Sequence, residues 1–128
     1  MTWNAARALL DAKLVTLSGI NTARIAWPGV TFVPPAGAAW YKVSFLPTGT
    51  DAALGVGASK HEGGIYQVSV FSPDGSGLGT LLGLADAVVA LFDRQLLTNI
   101  HTGVPVPAPV LTEPGWLQIP VSIPFVVL

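Results

Sequence analysis

The residues whose types could carry out chemistry are few, and their spacing completes no site. His61 and Glu62 are adjacent, as in a metal-binding or acid–base pair. A metal-binding helix needs a second histidine four residues along to put two ligands on one face, and His101 is far away in the sequence. The pair is therefore predicted to form the exposed polar tip of a hairpin, and no metal site is predicted.

A glycine-rich segment around Ser76 is the second candidate, for a nucleophile. Ser76 follows a predicted strand and precedes a predicted helix, but the first glycine of a Gly-x-Ser-x-Gly elbow is missing. A dinucleotide fingerprint starting at Gly75 would need a glycine where Thr80 stands, and a P-loop would need a lysine after its last glycine. The segment is predicted to be a turn and a helix start. The sequence therefore favours a protein with no catalytic residues, no cofactor and no enzymatic activity.

Composition excludes several classes of protein. The chain has 128 residues and 13.2 kDa, which predicts one domain over residues 1–128. Its hydrophobic content of 51% excludes intrinsic disorder, and its net charge of −1 excludes the basic footprint of a nucleic-acid-binding protein. Cysteine is absent, which excludes disulfides and thiolate chemistry. Only 10% of residues are charged, so excess apolar surface is expected to meet a partner or further copies of the chain.

Membrane insertion and export are not expected. The N-terminal stretch carries Arg7, Asp11 and Lys13, where a signal peptide needs an apolar run. The most hydrophobic helical segment, 78–92, contains Asp86 and is shorter than the roughly 20 residues that span a bilayer. The chain is therefore expected to be cytosolic and not bound to a membrane.

The first half of the chain is predicted to be a helix followed by strands. Apolar residues at three- and four-residue steps predict a helix over 2–17, with Thr2 as its N-cap and Gly19 after its end. Alternation predicts a half-buried strand over 40–46. The other predicted elements are an apolar piece over 25–27, a proline-rich loop over 28–35, a turn over 47–50, and a hairpin with arms at 52–58 and 64–72 and its tip at Lys60–Gly63.

The second half is predicted to be a helix over 76–95, an extended segment over 104–112 and a strand over 116–127. The core face of that helix is predicted to hold Leu78, Leu81, Leu82, Ala85, Val88, Val89 and Phe92. Pro120 and Pro124 have the same parity and both lack an N–H, so the last strand is predicted to lie at a sheet edge. The fold class is α+β, with two helices on an antiparallel or mixed sheet and a long β-hairpin.

Two features predict interfaces. The helix over 76–95 has a stripe of small residues opposite its leucines, where glycine costs about 0.5–1 kcal/mol relative to alanine unless another backbone approaches closely. The second feature is the hairpin over 48–64, whose glycine-rich arms have little packing of their own. The predicted interface residues are Leu54, Val56, Lys60, His61 and Glu62 of the hairpin and Gly79, Gly83, Ala87 and Ala90 of the stripe.

Four segments together resemble a family of small phage tail proteins. They are Trp27-Pro28 with Phe32 and Pro34-Pro35; Gly64-x-Tyr66-Gln67-Val68-x-Val70-Phe71-x-Pro73; Gly75-x-Gly77 leading to Leu84-Ala85-Asp86-Ala87; and Gly115-Trp116-x-Gln118-Ile119-Pro120-Val121-Ser122-Ile123-Pro124-Phe125. The chain resembles the tail-terminator or tail-completion proteins of long-tailed phages, encoded in prophage tail gene clusters. The resemblance covers nearly the whole chain and brings no active-site residues.

The resemblance implies a structural virion protein. Its subunits would form a hexameric ring on the head-proximal end of the tail tube, where the ring ends tube polymerisation and joins the tail to the head. The implied partners are other copies of the chain, the tail tube protein and a neck or head-completion (connector) protein. DNA would pass through the ring lumen without specific binding, and assembly would take place in the host cytoplasm.

Two alternatives stay open from the sequence. The first is a head–tail adaptor or another neck protein, which the sequence separates poorly from a tail terminator. The second is a small hydrolase or ligand-binding domain using His61, Glu62 and Ser76. The sequence does not decide which face meets the tube, how many subunits form the ring, or whether the tail contracts.

Overall fold

Two helices pack on one face of a mixed sheet. The structure is a computed structural model that describes residues 2–52, 60–75 and 77–127. In these residues an eight-stranded sheet has the order β1-β2-β3-β8-β5-β4, and β6 and β7 also pair with β8. The elements are α1 (Trp3–Leu14), β1 (Ile25–Ala26), β2 (Trp40–Ala52), β3 (Lys60–Pro73), α2 (Leu78–Phe92), β4 (Leu96–Leu97), β5 (Ile100–Thr102), β6 (Val106–Pro107), β7 (Leu111–Glu113) and β8 (Trp116–Val127). The strand β1 runs parallel to β2 and the other pairings are antiparallel, which confirms the predicted α+β class.

The first helix begins where predicted and ends earlier. The Thr2 hydroxyl accepts a hydrogen bond from the Ala5 N–H at 3.1 Å, so Thr2 is the N-cap. The helix stops at Leu14 rather than at residue 17. The Thr16 hydroxyl donates to the Lys13 carbonyl at 2.5 Å, and such a local side-chain bond competes with helix continuation.

The central hairpin is longer than predicted, and its predicted turn and tip are wrong. The strand β2 continues through residues 47–50, because a register shift between Pro47 and Gly49 absorbs one residue without ending the pairing. Lys60–Gly63 are therefore not a tip but part of β3, opposite the segment from Gly49 to Ala52. The predicted arm over 64–72 is a strand, since it lies within β3, but it pairs with Trp40 to Pro47 of β2 instead of with the predicted arm over 52–58, most of which lies outside the described residues. The connection over 53–59, with Leu54 and Val56, lies outside the described residues.

The last strand lies inside the sheet, so its prediction as an edge is wrong. On one side β8 pairs with β3 from Glu62↔Val127 to Pro73↔Trp116, and on the other side it pairs with β5, β6 and β7. The carbonyls of Pro120 and Pro124 each accept a backbone hydrogen bond at 2.8 Å from residues on this second side. Because the N and the C=O of a strand residue face the same neighbour, the two missing N–H groups also lie there. The side of β8 that lacks these two N–H groups therefore pairs with short strands and is not an open edge.

The core lies between the sheet and the two helices. From the helices it takes Ala6, Leu10 and Leu14 of α1 and Leu81, Ala85, Val88 and Phe92 of α2. The second helix is shorter than the predicted 76–95, and two members of its predicted core face are exposed, Leu78 at 48% and Leu82 at 43%. Leu82 stands about 100° around the helix from buried Leu81, which turns it away from the sheet. No helix in the described ranges has the length and hydropathy that crossing a membrane requires.

Candidate interaction surfaces

Of the side chains predicted to do chemistry, the two that the structure describes, Glu62 and His101, do not converge. The backbones of His61 and Glu62 lie within β3, opposite Asp51 and Thr50. His101 is exposed on β5 and lies on the opposite sheet face from Glu62, because its partner Val126 pairs with the next residue of β3. Among the described residues, no three His, Asp or Glu side chains are grouped so that they could hold a metal ion. Ser76 lies outside the described residues.

The outer surface of α2 is mostly apolar and carries several small residues. Its exposed members are Leu78, Gly79, Thr80, Leu82, Gly83, Asp86, Ala87 and Ala90, together called the α2 outer face. A Cβ added at Gly79 or Gly83 would meet no atom within 4 Å. The expected close backbone contact is therefore absent within the described subunit at both glycines, and contact with a neighbouring subunit stays a prediction. Asp86 is the one ionisable side chain of this helix.

Within the described residues, the opposite face of the sheet carries no helix, and it is called the bare face. Because alternate strand residues point to opposite faces, the register separates the core residues from the others. The bare face consists of Trp40, Lys42, Ser44 and Leu46 of β2, Ile65, Gln67, Ser69 and Phe71 of β3, and Gln118, Pro120, Ser122, Pro124 and Val126 of β8. Its three zones differ in chemistry.

One end of the bare face is an aromatic cluster around Trp40. The Trp40 and Phe71 rings stack with centroids 3.9 Å apart and an interplanar angle of 4°. The ring centroid of Phe32, from the proline-rich loop, lies 5.2 Å from that of Trp40. The Trp116 ring packs edge-on against Trp40, with the two centroids 5.8 Å apart. Trp40 is only 8% exposed, and its Nε1 finds no acceptor in the part of the chain that the structure describes. The cluster anchors the loop and closes this end of the sheet.

The other two zones are a polar middle and an apolar end. Lys42 in the middle is exposed, and the described residues offer it no ion pair. At the apolar end Leu46 is 45% exposed and Val126 is 52% exposed. Beside them a cavity of about 260 Å³ is lined by His101, Thr102, Gly103, Pro124, Phe125 and Val126. Exposed apolar side chains grouped in this way are typical of protein–protein contact surfaces.

Two polar contacts, one part-buried and one buried, hold the helices on the sheet and so place both surfaces. The Tyr66 hydroxyl donates to Asp11 Oδ1 at 2.5 Å, and Arg7 holds the other oxygen of the same carboxylate at 2.5 Å. Burial raises the pKa of Tyr66, the hydrogen bond and charge of Asp11 raise it further, and Arg7 lowers it. At the end of α2, the Thr102 hydroxyl donates to the Phe92 carbonyl at 2.5 Å.

Sequence reasoning missed the bare face, although its signal is present in the strands. Alternation in the strand over 40–46 predicts Lys42 and Ser44 on its polar side, and the register places both on the bare face. The aromatic residues at its ends, and Pro124 and Val126 of β8, share that side only because of the strand register. Pairing between distant segments is not encoded in local alternation.

Comparisons with known proteins found a matching family and a matching solved structure. The family model described as "Phage tail terminator protein" matches residues 5–125. A solved structure matches with a TM-score of 0.77 and 23% sequence identity, covering 100% of this chain and 96% of its own. At that identity the likeness concerns the fold. A search of curated proteins found no match.

Proposed function

This chain belongs to the phage tail terminator family, and we propose that it forms a ring that caps the head-proximal end of the tail tube. The family is one of structural proteins of the phage tail, not of enzymes. The ring ends tube polymerisation and offers its other side to the neck protein beneath the head. Six copies, the number implied by the resemblance, have a combined mass of about 79 kDa, six times 13.2 kDa.

The match over residues 5–125 carries the proposal, and the surfaces support it. A ring subunit needs two different contact surfaces, because each copy touches its two neighbours through opposite sides. The α2 outer face and the bare face are different, lie on opposite sides of the subunit and are both rich in exposed apolar side chains. The low charge of the chain fits a protein whose surface is mostly covered after assembly.

Electron microscopy of tails made with and without this protein tests the proposal. With the protein, tails should have one length and carry it as a ring at the end that meets the head. Without it, tubes should become long and uneven. A location between the head and an already capped tube would support the head–tail adaptor instead, and a position along the tube or at its tip would overturn both.

The small residues of α2 are proposed to lie against a neighbouring subunit. The substitution Gly83→Leu tests this, because the open space beside Gly83 lets the subunit fold with the larger side chain. We expect the variant to be at least as stable as the parent but to fail in ring formation. Gly83→Ala is the matched control and should assemble, and normal assembly of Gly83→Leu would remove this surface from the interface. Gly79, Ala87 and Ala90 belong to the same proposal.

The hairpin residues are proposed to contact the tube or a neighbouring subunit. Lys60, His61 and Glu62 stand in the distal part of β3, beyond or at the end of its pairing with β8. Leu54 and Val56 belong to the same proposal from the sequence alone. Substituting Leu54 and Val56 with serine should leave a folded subunit with a reduced share of capped tails. Tails of normal, uniform length from this variant would show that the two side chains are dispensable.

A further inference from the structure

We propose that the α2 outer face of one subunit docks on the bare face of a second copy, with Asp86 of the first beside Lys42 of the second. The inference rests on the proposed ring and assigns the two surfaces that join its subunits. Nothing in the sequence pattern or in the family match specifies this pairing.

The first argument is charge complementarity. Asp86 is the single ionisable residue of α2, and Lys42 is the single ionisable residue in the polar middle of the bare face, while His101 and Glu113 lie at its apolar and aromatic ends. Both side chains are in exposed positions, and neither has an ion-pair partner in the described part of the chain. The opposite charges of Asp86 and Lys42, each surrounded by uncharged residues on its own surface, set the register between the two surfaces, whereas two copies of either surface would put like charges together.

The second argument is the spacing between charge and apolar side chains on the two surfaces. On α2, eight residues separate Asp86 from Leu78, which is about 12 Å at roughly 1.5 Å per residue. On β2, four residues separate Lys42 from Leu46, which is about 13 Å at roughly 3.3 Å per residue. A docked pair that brings the two charges together can therefore also bring exposed Leu78 onto the apolar end of the bare face.

The third argument is shape. The glycines and alanines of α2 leave its outer face without protruding side chains along one line, and open space stands where Gly79 and Gly83 would carry a Cβ. A helix with such a surface can approach a sheet closely. Helices already pack on the other face of the same sheet, so docking would give the bare face the same kind of cover.

Charge reversal tests the contact directly. Asp86→Lys and Lys42→Asp should each lower the share of capped tails about tenfold or more, because each places like charges together. The double variant should restore capping to within about twofold of the parent, since the pair is re-formed with its signs exchanged. Asp74→Lys, a reversal at an exposed turn, is the matched control and should have no effect. Thermal unfolding of each variant separates assembly from folding.

Crosslinking gives an independent readout. Since the chain has no cysteine, Lys42→Cys and Asp86→Cys introduce unique reactive positions. A short bis-maleimide should link a subunit carrying both into a ladder of covalent oligomers within assembled tails, while either single variant should give no linked dimers. Capped tails without a ladder and without an effect of charge reversal would overturn this contact while leaving the ring proposal intact. Absence of the parent protein from the tail end would overturn the proposed function itself.

Discussion

The Tyr66 hydroxyl donates a hydrogen bond to the Asp11 carboxylate at 2.5 Å, joining the centre of β3 to α1 across 55 residues of sequence. Tyr66 is fully buried, and Asp11 is also held by Arg7 from the preceding turn of the same helix. The contact therefore fixes α1 at one position on the sheet, which apolar packing alone does not do because packing is not directional.

Tyr66→Phe should lower the free energy of unfolding by about 1–2 kcal/mol at neutral pH, since it removes the hydroxyl and leaves Asp11 with one partner fewer. The measurement is denaturation by urea. Tyr41→Phe is the matched control, because Tyr41 is also buried but makes no hydrogen bond in the described residues. Equal losses in the two variants would contradict a specific role for the contact.

Stability should fall in alkaline solution through the two tyrosines. Burial raises the pKa of both Tyr41 and Tyr66 above the ordinary value of about 10. The folded state then keeps its tyrosine protons at pH values where the unfolded state loses them. The stabilisation that results is complete below about pH 10. Above that pH it declines by up to about 1.4 kcal/mol per pH unit for each tyrosine. The midpoint of unfolding, measured between pH 8 and pH 11, should fall less steeply with rising pH for Tyr66→Phe than for the parent. Identical slopes would show that Tyr66 does not contribute.

Gly64 and Gly83 should respond oppositely to alanine. A Cβ at Gly64 would lie 2.6 Å from the Leu46 carbonyl oxygen and 2.9 Å from the Pro47 Cα, and neither backbone atom can move freely. Gly64→Ala should therefore cost about 1–3 kcal/mol, in the range of overpacked sites. Gly83→Ala has open space in a helix and should stabilise the subunit by about 0.5–1 kcal/mol. Thermal unfolding of the two variants checks both signs.

The Thr102 hydroxyl should be needed at the end of α2. It donates to the Phe92 carbonyl at 2.5 Å and accepts from the Gln95 N–H at 2.8 Å, and Thr102 is only 5% exposed. Thr102→Val keeps the shape but leaves both buried groups unsatisfied, so it should cost about 1–3 kcal/mol. Thr102→Ser retains the hydroxyl and should cost less, as urea denaturation will measure. A larger loss for serine than for valine would mean that the methyl group matters more than the hydrogen bonds.

The sequence alone determined the features that depend on neighbours along the chain. Thr2 caps α1 because its hydroxyl is within reach of the Ala5 N–H, and the alternation in β2 and β8 separates buried from outward residues. The α+β class and the shortage of charged residues follow from the same local patterns and composition. The resemblance to tail terminators also rests on the sequence, and the family match over residues 5–125 confirms it.

Only the tertiary structure decided which segments meet. Pro120 and Pro124 remove two N–H donors from one side of β8, whether or not that side is a sheet edge. Whether the side is an edge or pairs with short strands depends on where the chain after α2 returns. Pro47 is equally suited to a turn or to a strand next to a bulge, and its continued pairing with Gly64 decides for the bulge. The bare face likewise exists only through register, which brings Lys42 and Val126 onto one surface. Local sequence sets what each residue can do, whereas pairing over long distances depends on the combined free energy of packing the whole sheet.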